Sequence, residues 1–348
     1  MTVSVYTFNP LDDSRWEQFG LRHPDFSVFH TTGWLESLRR TYGYRPIVYT
    51  TSPPGAVLTN GIVFCRISSW LTGRRLVSLP FADHCEPLVE TSEQREAILE
   101  SLQSALAREG LKYVEIRPLK AGSPVGSNME ESGSFCFHTL DLRPSLPDLF
   151  RGFQKDSTQR KIRRAEREGL LYQSGRSTAL LNEFYRLSVL TRRRHRLPPQ
   201  PIEWFQNLIA CLGDRLAIHV AFKQERAIAS ILTLCCGQKL VYKYGCSDAD
   251  YHKLGAMPFL FWKAIQQAKD RGLQELDLGR SDSDNPGLIT FKGHLGATQS
   301  QLVYHRCYAA TRRNSSAGFG VSLAKRVISH LPGNLLTTAG RLLYKHVG

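Results

Sequence analysis

Residues 215–246 constrain the fold more than any other stretch. Arg215–Phe222, Ala227–Cys236 and Lys239–Cys246 are three strand-like runs rich in Val, Ile, Leu and aromatics, joined by tight turns at Gln224-Glu225 and Gly237-Gln238. Links that short allow only antiparallel neighbours, because a parallel return needs a long crossover. A helical pattern over Gly255–Arg271 and a strand over Gln274–Leu278 follow. The first half has the same order. Pro46–Thr50, Leu58–Ile67 and Arg75–Leu79 read as strands. Thr91–Arg108 carries one apolar stripe of Ile98, Leu99, Leu102 and Leu106 and is stopped by Gly110, and Lys112–Ile116 reads as a strand. A strands–helix–strand order that occurs twice predicts an α/β protein of two related domains, each a mixed, mainly antiparallel sheet flanked by helices. The turn-rich Arg143–Pro147 sets the expected boundary, giving domains 1–142 and 143–310 and a separate tail, 311–348.

Other elements fill the gaps. Ser14–Leu21 is helical, Thr31 or Thr32 caps a helix over Gly33–Thr41, and Cys136–Leu142 is a strand. Ser157–Glu168 is a basic helix closed by Gly169. Thr178–His195 is a helix that Arg196–Pro201 breaks, and Pro201–Leu212 is a short one.

Charge is unevenly placed. The 348 residues hold 45 Lys+Arg against 31 Asp+Glu, a net of +14. Residues 151–200 contain thirteen basic and four acidic residues, and 311–348 contain six basic and none acidic, so these two segments hold the entire excess. Each is a candidate contact with nucleic acid, a phosphorylated substrate or an anionic membrane, or else a solvated basic face. In the tail, Phe319, Leu323, Val327 and Leu331, and then Leu335, Leu336, Ala339, Leu342 and Leu343, form apolar stripes beside Lys325, Arg326, Arg341 and Lys345. That is the profile of an interfacial helix pair, or of a packed C-terminal hairpin. No apolar run is long enough to cross a bilayer, and MTVSVYTFNPLDD has no signal-peptide pattern, so the expected location is cytoplasmic, at most peripheral at the inner face of the membrane. None of the eight cysteines has C-x-x-C spacing, and no metal site is expected.

Several segments together resemble the FemAB-like transferases, which carry the GNAT fold twice. They are FHTTGWLESLRRTYGY (Phe29–Tyr44), LVSLPFADHCEPL (Leu76–Leu88), KDSTQRKIRRAEREG (Lys155–Gly169), FYRLSVLTRRRHRLPPQP (Phe184–Pro201) and the long stretch Tyr242–Ala297. The branch most resembled is the exopolysaccharide-associated one, with its basic amphipathic tail. The resemblance implies tandem GNAT-like domains and transfer of an acyl or aminoacyl group to an amine on a cell-envelope or exopolysaccharide precursor. The co-substrate would be acyl-CoA or aminoacyl-tRNA, with no tightly bound cofactor. The partners implied are a phosphorylated or lipid-linked sugar, tRNA, and an anionic membrane met through 311–348. Two other readings stay open: an acetyl-CoA-dependent N-acetyltransferase of a small amine or amino sugar, and a non-catalytic glycolipid- or RNA-binding module.

Attack by an amine on an activated acyl carbon needs a neutral amine, a place for developing negative charge, and tight positioning. By resemblance Lys292, in FKGHLG, contacts the phosphorylated substrate or the developing oxyanion. Asp277, Arg280 and Ser281 come where a strand ends, the usual ligand position in open α/β sheets. Asp277 can orient an amine or act as a base, and Arg280 can clamp an anion, or the two can pair with each other. Tyr242 and Tyr244 alternate on one strand face, as proton donor and substrate contact or as packing residues. Asp83 is a substrate contact by resemblance, and Arg163 and Arg164 belong to the basic helix that can track a phosphate backbone or lipid headgroups. Gly255 and Lys253 lie where GNAT proteins hold a pyrophosphate. The stretch His252–Met257 keeps the first glycine of that loop without its leading Arg/Gln or closing Gly/Ala, and Pro258 removes an N–H donor. No covalent nucleophile is evident, since Cys85 and His84 lack a third orienting group, so direct attack in a ternary complex is expected.

Overall fold

The computed structural model describes residues 3–120, 126, 128–309, 340 and 343–346. In chain order the elements are β1 (Tyr6–Phe8), α1 (Arg15–Gly20), α2 (Thr32–Tyr42), β2 (Arg45–Thr50), β3 (Ile62–Ser69), β4 (Gly73–Val77), α3 (Ser92–Arg108) and β5 (Tyr113–Ile116). Then come β6 (Glu130–Asp141), α4 (Leu146–Gly152), α5 (Arg160–Arg167), β7 (Leu171–Gly175), α6 (Thr178–Arg194), α7 (Ile202–Leu212), β8 (Leu216–Lys223), β9 (Arg226–Cys236) and β10 (Lys239–Ser247). The last are α8 (Ala256–Asp270), β11 (Glu275–Ser281), α9 (Pro286–His294) and β12 (Thr298–Tyr308). Among the described residues no helix is long and apolar enough to cross a membrane. The amphipathic pattern of 311–348 lies outside the described residues, except for Gly340 and Leu343–His346.

The chain divides into two compact units. One takes the chain up to Phe135, β12 from Gln301 onward, and Leu343–His346; the other takes Cys136–Ser300 and Gly340. The division thus falls inside β6, somewhat before the 142/143 boundary read from the sequence.

In the first unit the strand order is β1-β2-β3-β4-β5-β12. β2, β3 and β4 form the meander, and β5 returns parallel to β4 after α3. Thr91 caps α3 by accepting the Gln94 N–H. The helix lays Ile98, Leu102 and Leu106 on Ile47, Phe64, Leu76 and Val114. β12 was not expected from the sequence; it pairs antiparallel with β5 through His305–Tyr308.

The second unit has the order β6-β11-β10-β9-β8-β7. Its meander is β8-β9-β10, and β11 returns parallel to β10 after α8. α8 buries Ala256, Pro258, Phe259, Leu260, Phe261, Trp262, Ala264, Ile265 and Ala268, nine of its fifteen residues, so sheet and helices enclose it. Gly255 stands before it with φ +77. A side chain there would collide with the Lys161 carbonyl of α5, so glycine is required both for the left-handed turn and for the close approach of the two helices.

Candidate active site

The parallel pair β10/β11 holds only through Lys239–Glu275, Leu240–Leu276 and Val241–Asp277. β10 then runs on to Ser247 against β9 alone, and β11 runs on to Ser281 against β6 alone. Two strand edges that part company present backbone polar groups to whatever enters between them. Both strands are irregular at this point. The β10 register shifts between Tyr242 and Tyr244, and the β11 register shifts between Asp277 and Arg280, where Gly279 has φ +70.

The side chains of β11 and α9 stabilise that irregular edge. Lys292 is only 2% exposed. Its Nζ donates to the carbonyls of Gly279 at 2.8 Å and Arg280 at 3.0 Å. The short segment around it is the helix α9, and the chain buries the lysine while its neighbour Phe291 stays half-buried. The Asp277 carboxylate is buried and accepts the Gly279 N–H at 2.6 Å. Ser281 is buried, and among the described residues its Oγ has no hydrogen-bond partner. Burial, reinforced by the Lys292 charge, holds the His138 imidazole below its ordinary pKa, which keeps it neutral beside the ammonium. Arg280 is half-buried at the end of β11.

A cavity of about 280 Å³ opens at the start of α8. Tyr242, Ala229, Ser247, Asp248, Tyr251, His252, Ala256, Met257, Leu288, Phe291 and Lys161 contribute to its lining. Tyr242 stacks edge-on against Phe261, and its hydroxyl lies where a side chain on Gly245 would be. His252 Nε2 lies 2.9 Å from Ser247 Oγ. Burial and then the Arg194 charge push the His252 pKa down, with Asp248 opposing and Lys161 adding to the push. Arg194 itself donates to the Ser247 carbonyl at 3.2 Å. The cavity lining is therefore largely apolar, with Lys161, Ser247, Asp248 and His252 as polar members and Arg194 bonded to Ser247.

The remaining sequence candidates fall elsewhere. Tyr242 and Tyr244 do not share a face: the bulge between them sends Tyr242 towards α8 and Tyr244 towards α7, where the Trp204 Nε1–H donates to the Tyr244 hydroxyl at 2.9 Å and Phe205 packs on its ring. An extra residue in a strand flips the alternation that the sequence reading relied on. Lys253 is exposed and does not line the cavity, whereas Gly255 caps the helix that does. Arg163 and Arg164 are exposed on α5, the first above the Phe150 ring and the second 3.8 Å from Glu168. Asp83 belongs to the first unit, on a loop held by Tyr304, whose hydroxyl donates to the Asp83 carbonyl, and by Arg117, which donates to the Leu79 and Ala82 carbonyls. The Cys85 thiol meets His30 at 3.3 Å. Burial pushes that thiol up to about 12 and His30 down to about 4, so the pair is inert packing. The sequence reading missed Lys161, Ser247, Asp248 and His252 as lining residues. Only the loop pattern at His252–Met257 pointed to this place.

Residues 153–292 match the family model described as acetyltransferase (GNAT) domain. The chain is 32% identical over 157 residues to the UDP-N-acetylmuramoylpentapeptide-lysine N(6)-alanyltransferase of Weissella viridescens, covering 44% of this chain and 43% of that protein. It thus spans less than half the length of that curated relative. The crystal structure of FemX superposes with a TM-score of 0.67 at 14% identity, over 90% of this chain and 98% of that one. A tandem GNAT protein from the clavulanic acid biosynthesis pathway superposes with a TM-score of 0.55 at 11% identity, over 88% of this chain and 98% of that one. At such identities the two superpositions speak for the fold, which is the tandem GNAT arrangement of mixed sheets flanked by helices. In sequence, then, residues 153–292 are similar to the acetyltransferase (GNAT) domain, and in fold the chain is similar to FemX.

Proposed function

We propose that this protein is an acyltransferase that moves an aminoacyl or acyl group onto an amine of a cell-envelope precursor. The observation that carries the reading is the parting of β10 and β11 beyond Val241–Asp277 beside the cavity at the start of α8. A carbonyl seated in that opening meets backbone N–H donors fixed before the reaction, so negative charge developing on its oxygen is stabilised without reorganisation. Lys292 keeps the Gly279 and Arg280 carbonyls from turning into the opening and places a positive charge beneath it. The acceptor amine attacks the acyl carbon directly, the C–N bond forms, and the ester or thioester oxygen or sulfur leaves. The amine proton passes to the leaving group or to solvent. Tyr242 lines the cavity that takes the acceptor, and Lys161 and His252 meet its phosphate.

Aminoacyl-tRNA is the favoured donor over acyl-CoA. The first turn of α8 contains Pro258, so one N–H that would cradle a pyrophosphate is missing. The exposed Arg163 and Arg164 give α5 the charge to meet a nucleic-acid backbone. The acceptor class follows the alanyltransferase named above: an N-acetylmuramoyl peptide bearing a free side-chain amine. The finer alternative, an exopolysaccharide amine, is a second acceptor to try. The test is to incubate the full chain with UDP-N-acetylmuramoyl-pentapeptide and alanyl-tRNA, then with acetyl-CoA, and follow the acceptor mass. A gain of one alanyl residue supports the reading, a gain of acetyl moves it to the other donor, and no gain with any donor on either acceptor class overturns it.

A further inference from the structure

The first unit carries an amphiphilic surface that acyl transfer does not use. β3 and β4 end in a hairpin whose last cross-strand pair is Ser69–Gly73. At the tip Trp70 is 86% exposed and Leu71 52% exposed. Two large apolar side chains side by side in water are a cost that folding does not require, and such pairs mark contact surfaces. The tip is stiff. Ser69 Oγ accepts the N–H of Leu71 at 3.1 Å and of Thr72 at 3.0 Å, the Thr72 hydroxyl donates to the His346 carbonyl at 2.8 Å, and the Trp70 ring stands edge-on to the His346 ring at 5.6 Å. These bonds fix the backbone of the tip from which both side chains project into solvent.

The hairpin runs directly into a cavity of about 770 Å³. Arg45, Arg66, Arg74, Arg75 and Lys345 line it, and Glu109 is the one acidic residue in its described lining. Arg45 and Arg66 are cross-strand partners, and like charges in that position repel. Arg66 gives one nitrogen to Glu109 at 2.9 Å, while its buried Nε has no partner among the described residues. Arg75, 2% exposed, donates to the His346 carbonyl at 2.8 Å, which ties the cavity wall to the segment that steadies the hairpin tip. A concave surface this cationic is complementary to clustered phosphates, and arginine is the side chain that binds them in bidentate fashion.

We propose that the first unit docks on an anionic phospholipid bilayer, with Trp70 and Leu71 seated at headgroup level and the arginine-lined cavity taking lipid phosphates. Tryptophan favours the interface because its ring is apolar and its N–H is polar, and basic side chains beside an apolar wedge add the pull of the negative leaflet. A soluble phosphate ligand would account for the cavity and leave the exposed wedge unexplained; a bilayer accounts for both. The proposal is independent of the acyl-transfer reading, and of residues 311–348 it draws on Lys345 and His346 alone.

The test uses the full chain in sedimentation with phosphatidylcholine vesicles and with vesicles in which part of the phosphatidylcholine is replaced by phosphatidylglycerol. Binding is expected only to the second kind, and it weakens as salt is raised. Trp70→Ala combined with Leu71→Ser should lower the partition coefficient about tenfold or more, and Arg45→Gln combined with Arg74→Gln by a similar factor, on the scale of about fivefold per charge. Trp70 and Leu71 lie mostly in solvent, Trp70 meeting the His346 ring at its edge, so that variant should melt close to the parent. The proposal is overturned if the parent ignores both kinds of vesicle, or if both variants bind like the parent, which would assign binding to the basic tail. It is also overturned if inorganic pyrophosphate binds the cavity with an affinity that Trp70→Ala leaves unchanged and displaces no protein from vesicles. Acyl transfer to a soluble acceptor reports on the other site, so the two readings fail separately.

Discussion

The two units build the same parallel pair and finish it differently. In the first, β4 and β5 pair through Arg75–Tyr113, Leu76–Val114 and Val77–Glu115. Beyond that point the chain itself closes the gap. The Ser78 N–H donates to the Glu115 carbonyl, the Cys85 N–H donates to the Arg117 carbonyl, and the Arg117 guanidinium, bonded to Glu115, reaches the Leu79 and Ala82 carbonyls. Glu115 is almost fully buried. Burial alone would raise its pKa, and the adjacent Arg117 and Arg306 charges outweigh that and hold it below the usual carboxylate range. In the second unit the same place stays open, with a lysine beneath one edge and a cavity beside it. A duplicated topology thus repeats the same short parallel ladder, and the local chain decides which one stays open beyond it.

The comparison breaks most cleanly at its two cations. Lys292→Met should abolish transfer and cost about 2–4 kcal/mol in denaturant unfolding, because two buried carbonyls lose their donor. Arg117→Met should cost about as much stability, since it leaves the buried Glu115 carboxylate with Arg306 but without its second cation, yet it should leave residual transfer that Lys292→Met does not. If the two variants lose activity equally, the second unit's opening has no special role. Gly255→Ala comes next, with about 2–3 kcal/mol lost to a left-handed backbone and a collision with α5, read as a lowered denaturation midpoint.

Acid sharpens the comparison further. His30 in the first unit and His219 in the second are both pushed down to about 4 by burial. Unfolded histidine takes its proton near 6.5, so between there and pH 4 the unfolded chain binds more protons than the folded one. Stability is then intact above about pH 6.5 and falls as pH drops, by up to about 3 kcal/mol per histidine. Unfolding curves collected across that range should show the loss, and His219→Asn should flatten its share. The smallest effect is Tyr244→Phe, which removes only the hydroxyl that accepts the Trp204 N–H and should cost about 1 kcal/mol with little change in transfer. A large fall in transfer would return Tyr244 to the reaction.

How much of this the sequence disclosed depends on what fixed each element. The meander β8-β9-β10 and the helices α3 and α8 follow from period and turn residues, so they were legible to within a residue or two. β12 was not, because TQSQLVYHRCY buries only Leu302, Tyr304 and Cys307 and reads as polar loop. α9 hid behind the glycines of GLITFKGH, and burial of its lysine hid with it. The two carbonyls that hold Lys292 belong to a bulge at Gly279, and no side-chain pattern announces which backbone groups a bulge will strand. The tyrosine pair was misjudged for the same reason, since one inserted residue rotates everything after it. Motif order pointed to the neighbourhood of the site; the backbone irregularities that shape it could be seen only in three dimensions.

One consequence of β12 concerns how the molecule is made. Its His305–Tyr308 segment pairs with Tyr113–Ile116, a strand the ribosome releases long before. Until that late segment emerges, β5 presents an unpaired edge and the N-terminal sheet waits unfinished during synthesis. A fragment cut near residue 142 would keep that exposed edge permanently, so dissecting this protein into halves for expression should give aggregates where the intact chain gives a folded product.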